Sequence, residues 1–483
     1  MLRQSIGTVG AAAPTTQRGL RAAVASGLLL AAFAAAWALY AAWAHAILHW
    51  YADAWRVYPT LIDLSWSQAL LLPDNGHRPV LSQALRWLDL HGFGGDQRLL
   101  RVIGVAWLLA TLWVLLRECA RAADTPAWLR AQALPVLVLG IAWLGNARML
   151  THPYEAVHVY LVVLLLALAA GLVSRAGAVP LAKRQRVALV ACGVLATFTF
   201  GPGIVLLAAA AVVLLLVRAR PAEVVTAGLG LAVALVLYLG LPGADGVRGS
   251  LHWSPLVQFD LLLRWLATPL LFLGLPLADP AAARAIPFAP AAALVAPLAE
   301  AWQRAFGDVW TGTLPQRLIG SLALAWLLQA SAAAWSGRRP QLAAFGLVLA
   351  WFAVGTGALI ALTRSEYFGT VPRELHAARY LPWSSLFWSG LAAASLAQYG
   401  AACSPGRLAM RVGVPAVILL ASNFVGHAWS ARVAALAAVQ SVAARDGREP
   451  VHWGETVPTE FRAALESARR ARVGPWHGVP ALP

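Results

Sequence analysis

Three groups of ionisable side chains stand out in a chain that otherwise avoids them. The first lies in a polar, tryptophan-rich stretch from His49 to Arg98. It holds Asp53 in Tyr51-Ala52-Asp53-Ala54-Trp55, then Asp63, then Pro73-Asp74-Asn75-Gly76-His77-Arg78-Pro79. The second is His152-Pro153-Tyr154-Glu155 followed by His158; Glu155 and His158, three apart, share one side of a helix. The third is Arg364, Glu366, Arg373, Glu374, His376, Arg379 and Tyr380. A carboxylate can take the proton of an attacking hydroxyl. Arginine grips phosphate through two parallel hydrogen bonds and keeps its charge when partly buried. Acids and arginines together are therefore the parts needed to act on a phosphorylated substrate.

Each group also has a plainer reading. Asn75-Gly76 suits a turn capped by Asp74, and Asp63 reads as a solvated loop acid. Asp53 reads equally as a loop acid or as an acid at the membrane edge, set to meet a lipid headgroup. His77 and Arg78 pair either with Asp74 or with a phospholipid phosphate. Glu155 in a first helical turn is stabilised by the helix dipole. Arginine and tyrosine of the third group double as interfacial anchors. The cysteines, Cys119, Cys192 and Cys403, have no metal-ligand spacing and read as inert.

The elements that must position these groups are membrane helices. Of 483 residues 60% are hydrophobic and 12% charged, against about 25% charged in soluble domains. A helix needs about 20 apolar residues to cross the hydrocarbon core. Such runs fall at 22–48, 99–117, 132–147, 155–174, 186–200, 202–217, 222–241, 317–336, 341–363, 381–400 and 412–430. The stretch 255–315 is apolar but broken by six prolines, from Pro269 to Pro297, which predicts a kinked or re-entrant hairpin facing a cavity. The fold class is an all-α polytopic membrane protein of about eleven to thirteen spans.

The net charge of +16 sits in short loops such as Arg117–Arg130, Arg175–Arg186 and Arg338–Arg339, the positive-inside pattern, and does not point to nucleic acid. It puts residues 1–21 in the cytoplasm and all three ionisable groups outside, in a bacterial inner membrane. Leu81, Leu85 and Leu88 share one side of a short helix suited to lie in the interface. The chain divides into 1–21, a spanning region 22–430 with its first outer loop at 49–98, and a polar tail 431–483 on the periplasmic side. Residues 459–472 of that tail suit an amphipathic helix.

A first span, an aspartate beside tryptophan, Asn75-Gly76-His77-Arg78, and Gly92-Phe93-Gly94-Gly95-Asp96 before the second span follow in order. Thr197-Phe198-Thr199-Phe200-Gly201-Pro202-Gly203 comes later, then Ala378-Arg379-Tyr380. This pattern resembles bacterial membrane proteins related to the GT-C class of glycosyltransferases. The resemblance covers 22–430 and not the tail. It implies transfer of a sugar from a polyprenyl phosphate or pyrophosphate carrier, outside the membrane, with Asp53 as the catalytic acid-loop residue. It carries over His77, Arg78, Glu155, Arg379 and Tyr380 as substrate-binding positions, and their neighbours Asp74, Asn75 and Arg373 join them. Asp53 has no paired acid beside it, so no cofactor or divalent metal is indicated. The implied partners are a lipid-linked sugar and a glycan, lipid or protein acceptor. Two rival functions are a flippase for a lipid-linked sugar, which would need the arginines but no base, and a non-catalytic membrane scaffold.

Overall fold

A computed structural model describes residues 17–74, 77–241, 253–284, 286, 288–311, 314–446 and 459–478. Among them every regular element is helical, apart from one isolated antiparallel pairing of Asp74 with His77. Helix α1 (Gln17–Ala44) is followed by three short helices, α2 (Ala54–Leu61), α3 (Trp66–Leu71) and α4 (Val80–Phe93). Next come α5 (Arg98–Arg121), α6 (Ala127–Ala142), α7 (Ala147–Thr151), α8 (Pro153–Ala176), α9 (Lys183–Thr197), α10 (Leu206–Leu216) and α11 (Pro221–Gly240). A third group comprises α12 (Pro255–Leu266), α13 (Thr268–Ala278), α14 (Pro280–Arg284), α15 (Ala289–Phe306), α16 (Leu314–Trp335), α17 (Gln341–Thr370), α18 (Leu381–Tyr399), α19 (Pro405–Arg445) and α20 (Thr459–Ala471).

Among the described residues eight helical runs are long and apolar enough to cross a bilayer: α1, α5, 127–151, α8, α11, α16, α17 and α19. The pair α12–α13, bent by 65°, would make a ninth. The chain is a polytopic α-helical membrane protein. The expected eleven to thirteen spans counted three segments that fall short of this standard. Segment 186–200 forms the 15-residue α9, and 202–217 forms a 3-10 turn plus the 11-residue α10. Segment 381–400 forms α18, whose Trp, Ser and Gln content lowers its apolarity and whose side chains are mostly buried against other helices. The kink expected in 255–315 is the α12–α13 bend, where Pro269 lies in the first turn of the second helix.

Small residues set the helix contacts, since lipid gives apolar side chains little reason to leave it. Helix α1 lays Ala23, Gly27, Ala31, Ala34, Ala38 and Ala41 as a buried seam against α6, where Gly27 meets the backbone carbonyl of Ala131. Gly346 of α17 and Gly390 of α18 face each other so closely that a Cβ on either would strike the opposite backbone. Asn423, inside α19, accepts the Leu144 amide at 2.9 Å, which makes it a helix-packing group.

The connections segregate to two ends. At one end Arg175 meets Glu118 at 2.9 Å, the Gln341 amide meets Asp124 at 2.8 Å, and Arg339 reaches the Val217 carbonyl. At the other end, the first loop meets 198–200 through Leu81 to the Phe198 carbonyl at 3.1 Å, and meets residue 151 through Ile47 at 2.7 Å. Helix α19 does not stop near 430, as expected from composition, but runs unbroken to Arg445. Its 41 residues reach about 60 Å, twice the hydrocarbon thickness of about 30 Å. The last turns stand on the first loop, with Ala437 packed on Tyr51 and Ala444 in the Trp50 cluster.

Candidate functional site

Helix α4 is built inside out. Its buried positions are Ser82, Gln83, Arg86, Asp89 and Leu90, while Leu88 is exposed. The polar side of the helix therefore turns into the protein, while Leu88 is exposed and Leu81 and Leu85 are partly buried. Asp89 accepts the Tyr58 hydroxyl at 2.7 Å and the Gln97 amide at 3.2 Å, locking α4 to α2 and to the start of α5. Burial pushes its carboxyl up to about 6.

One turn further, Arg86 is wholly enclosed. It reaches Asp74 at 3.4 Å, Gln83 at 3.3 Å and His158 Nδ1 at 3.1 Å, and its guanidinium lies 3.8 Å from the Tyr154 ring centroid. Arginine only donates, so His158 Nδ1 accepts and its proton sits on Nε2. Asp74 also accepts from Arg56 at 2.5 Å. Burial would raise the Asp74 carboxyl, but Arg86 and Arg56 outweigh it and hold it below the usual range.

Asp74 and His77 exchange backbone hydrogen bonds of 3.0 and 2.8 Å across a two-residue reversal. Asn75, expected in the site, and Gly76 lie outside the described residues. The turn throws the His77 ring onto Phe200, with ring centroids 5.1 Å apart, and against Gly201, where a Cβ would strike the imidazole. Phe200 lies in turn against His158, with the rings tilted and their centroids 4.3 Å apart. The Phe-Gly-Pro-Gly break between α9 and α10 is thus part of the site wall. Burial, with help from the positive charge of Arg364, lowers the His77 pKa to about 4, so the ring is neutral at ordinary pH.

Asp53 sits at the N-terminus of α2 with its side chain 45% exposed, and among the described residues its only ion pair is a loose one to Arg56 at 3.8 Å. It is the open acid of the group, while Asp74 is the closed one. The residue before it, Ala52, has φ of 49°, a left-handed conformation that costs a residue with a Cβ about 1–2 kcal/mol. Such strain persists where the surroundings impose it, and it concentrates at working sites.

Glu155 is close to the same wall but fully committed. Arg148 of α7 donates to both its oxygens, at 3.1, 3.1 and 2.5 Å, and His152 stands 3.5 Å away. Arg379 lies within electrostatic reach of Arg148, is paired with Glu374 at 2.5 Å and lies 5.0 Å from the Tyr380 ring centroid.

Two expected members turn away. Arg78 donates to the Leu241 carbonyl and lies 6.0 Å from the Tyr238 ring, on the α11 side. Its neighbour His77 faces Phe200, as successive side chains of an extended segment point to opposite sides. Arg373 lies 4.9 Å from the Trp310 ring centroid, apart from Arg379. No family model and no curated protein matches this chain. Among the described residues no three His, Cys, Asp or Glu side chains come together as a metal-ligand set.

Arg56, Arg86 and Arg148 do not stand out in the sequence, and Tyr154 does so only as a neighbour of Glu155. A signal for one was present: Ser82, Gln83, Arg86 and Asp89 repeat at helical spacing along α4. Arg364, near the end of α17, is the electrostatic neighbour of His77, and among the described residues no carboxylate or carbonyl engages it. It is partly buried. Arg56, Arg86, Arg148 and Arg379 each have an acid partner, whereas Arg364 has none among the described residues.

Proposed function

We propose that the protein is a membrane glycosyltransferase that moves a sugar from a polyprenyl-phosphate-type carrier to an acceptor on the outer side of a bacterial inner membrane. The supporting observation is the convergence of three groups distant in sequence on one end of the bundle, around an open acid and an uncommitted arginine. The first loop brings Asp53, Asp74 and His77; α7 and α8 bring Arg148, Tyr154 and His158; α17 brings Arg364. The arginine-rich loops cluster at the opposite end, which the positive-inside rule assigns to the cytoplasm. A transporter would hold its substrate near the middle of its spans, and the span centres in the sequence are nearly free of ionisable groups.

The chemistry follows from which groups remain free. An acceptor hydroxyl gives its proton to the Asp53 carboxylate as its oxygen bonds to the anomeric carbon. The bond from that carbon to the carrier phosphate breaks, and its electron pair stays on the phosphate oxygen. Arg364, the electrostatic neighbour of His77, stabilises that growing charge; a preorganised cation in a site shielded from water is worth far more than in solution. One attacking oxygen and one leaving oxygen on opposite sides invert the anomeric centre. A positioned base contributes about 10²–10⁴-fold. Purified protein carrying Asp53→Asn should therefore lose transfer by about that factor while folding normally, and Arg364→Gln should weaken donor use. Full transfer by Asp53→Asn would end this assignment.

A further inference from the structure

The turn that carries Asp53 is held from outside its own loop. Trp50, three residues before Asp53, donates its indole N–H to the Gly95 carbonyl at 2.9 Å, stacks on Tyr58 with centroids 5.2 Å apart, and meets Trp55 edge-on at 5.4 Å. Against the same indole lies the backbone of Gly474, so closely that a Cβ there would run into the ring carbons. The Gly474 amide donates to the Gly94 carbonyl at 2.7 Å, and the His477 ring covers Gly94. Helix α20 adds Ala468, fully buried, and Leu465 to the cluster of Ala54, Val57 and Tyr58. Gly94, Gly95 and Gly474 have φ of 68°, 73° and 59°, conformations that glycine alone adopts without cost. Three such glycines at one joint, with no room for a side chain at Gly94 or Gly474, make a close-fitting clasp.

We infer that residues 465–477 position the Asp53 turn: by fixing Trp50 and α2 they impose the left-handed Ala52 and so aim the carboxylate. The catalytic part of this inference rests on Asp53 being the base. Trp50 and Gly474 are positioning residues that act through Ala52 and Asp53. The sequence resemblance stops before this segment, so the clasp assigns a role to a region otherwise read as a polar tail.

The test compares the full-length protein with Gly474→Val, Ala52→Gly and the double variant, in lipid nanodiscs. Amide exchange reads the turn directly, because Ala54, Trp55, Arg56 and Val57 donate to Tyr51, Ala52 and Asp53 at 2.9–3.2 Å. Gly474→Val should speed exchange of these amides about tenfold, a loss of local protection of the kind partial opening gives, with the amides of α17 unchanged. Transfer should lose kcat severalfold at nearly constant donor KM, and Ala52→Gly should recover part of it, since glycine adopts the turn unaided. If Gly474→Val does not accumulate, Gly474→Ala carries the same comparison. Unchanged exchange at 54–57, equal acceleration in α17, or strict additivity of the two substitutions would each overturn the clasp. Faster exchange in a protein with no transfer activity would retire the transferase assignment and leave the clasp standing.

Discussion

Replacing Asp74 by Asn tests whether the buried half of the site is an electrostatic unit. The substitution keeps shape and removes one charge. Arg86, 2% exposed, stands 3.4 Å from Asp74. At an effective dielectric of about 20 that separation corresponds to about 5 kcal/mol of attraction. Much of it offsets desolvation, but deleting one partner leaves the other charge buried, which costs about 3–5 kcal/mol. Arg86 retains Gln83, His158 and the face of Tyr154, so the lower figure applies, about 3 kcal/mol. The Arg56 contact, with a side chain half exposed, is worth at most about 1 kcal/mol. Reversible unfolding in mixed detergent and SDS micelles should place Asp74→Asn about 2 kcal/mol or more below Arg56→Gln. The pair Asp74→Asn with Arg86→Met should lose less than the sum of its parts by more than about 1 kcal/mol. Equal losses in Asp74→Asn and Arg56→Gln, or simple additivity with Arg86→Met, would refute the reasoning.

Two further outcomes follow. Asp89, raised by burial to about 6 from an ordinary 3.8, holds a proton that the unfolded chain releases. Its contribution is complete below about pH 4 and lost as pH rises through about 6, a change of about 3 kcal/mol. Stability curves should therefore show Asp89→Asn gaining on the parent protein from pH 4 to pH 6 and running parallel above; parallel curves throughout would show that Asp89 is not shifted. Single cysteines at positions 63 and 370, in a background lacking Cys119, Cys192 and Cys403, should label from the periplasm, with one at position 180 protected. Labelling of 63 and 370 from different sides would dismantle the site.

What could be read from the sequence divides along physical lines. Apolar runs report burial in lipid, so the long spans and the polar first loop were plain. Span-like behaviour of the others was not, since the segments read as spans at 186–200 and 381–400 form the 15-residue α9 and the largely buried α18. The open acid and the presence of arginines nearby were legible from type and spacing. The pairing was not. Arg86 lies 72 residues before His158, and only the folded bundle brings them together. Arg78 looked equivalent to His77 because adjacency in sequence hides alternation in space. Arg148, one residue past the span expected at 132–147, does not stand out, yet it is the partner that commits Glu155. The tail was legible as an amphipathic helix, but its seat on Trp50 depends on glycines whose conformations no composition reveals.

The reversed burial of α4 sets an unusual pattern of mutational tolerance. In most helices the aliphatic positions are the constrained ones and the polar ones drift. Here Leu88 looks outward and should exchange freely for Ile, Met or Phe, while Leu81 and Leu85 are only partly buried. Ser82, Gln83, Arg86 and Asp89 should accept almost nothing. A library scored along this helix would invert the usual map, with the hydrophilic letters invariant and Leu88 interchangeable.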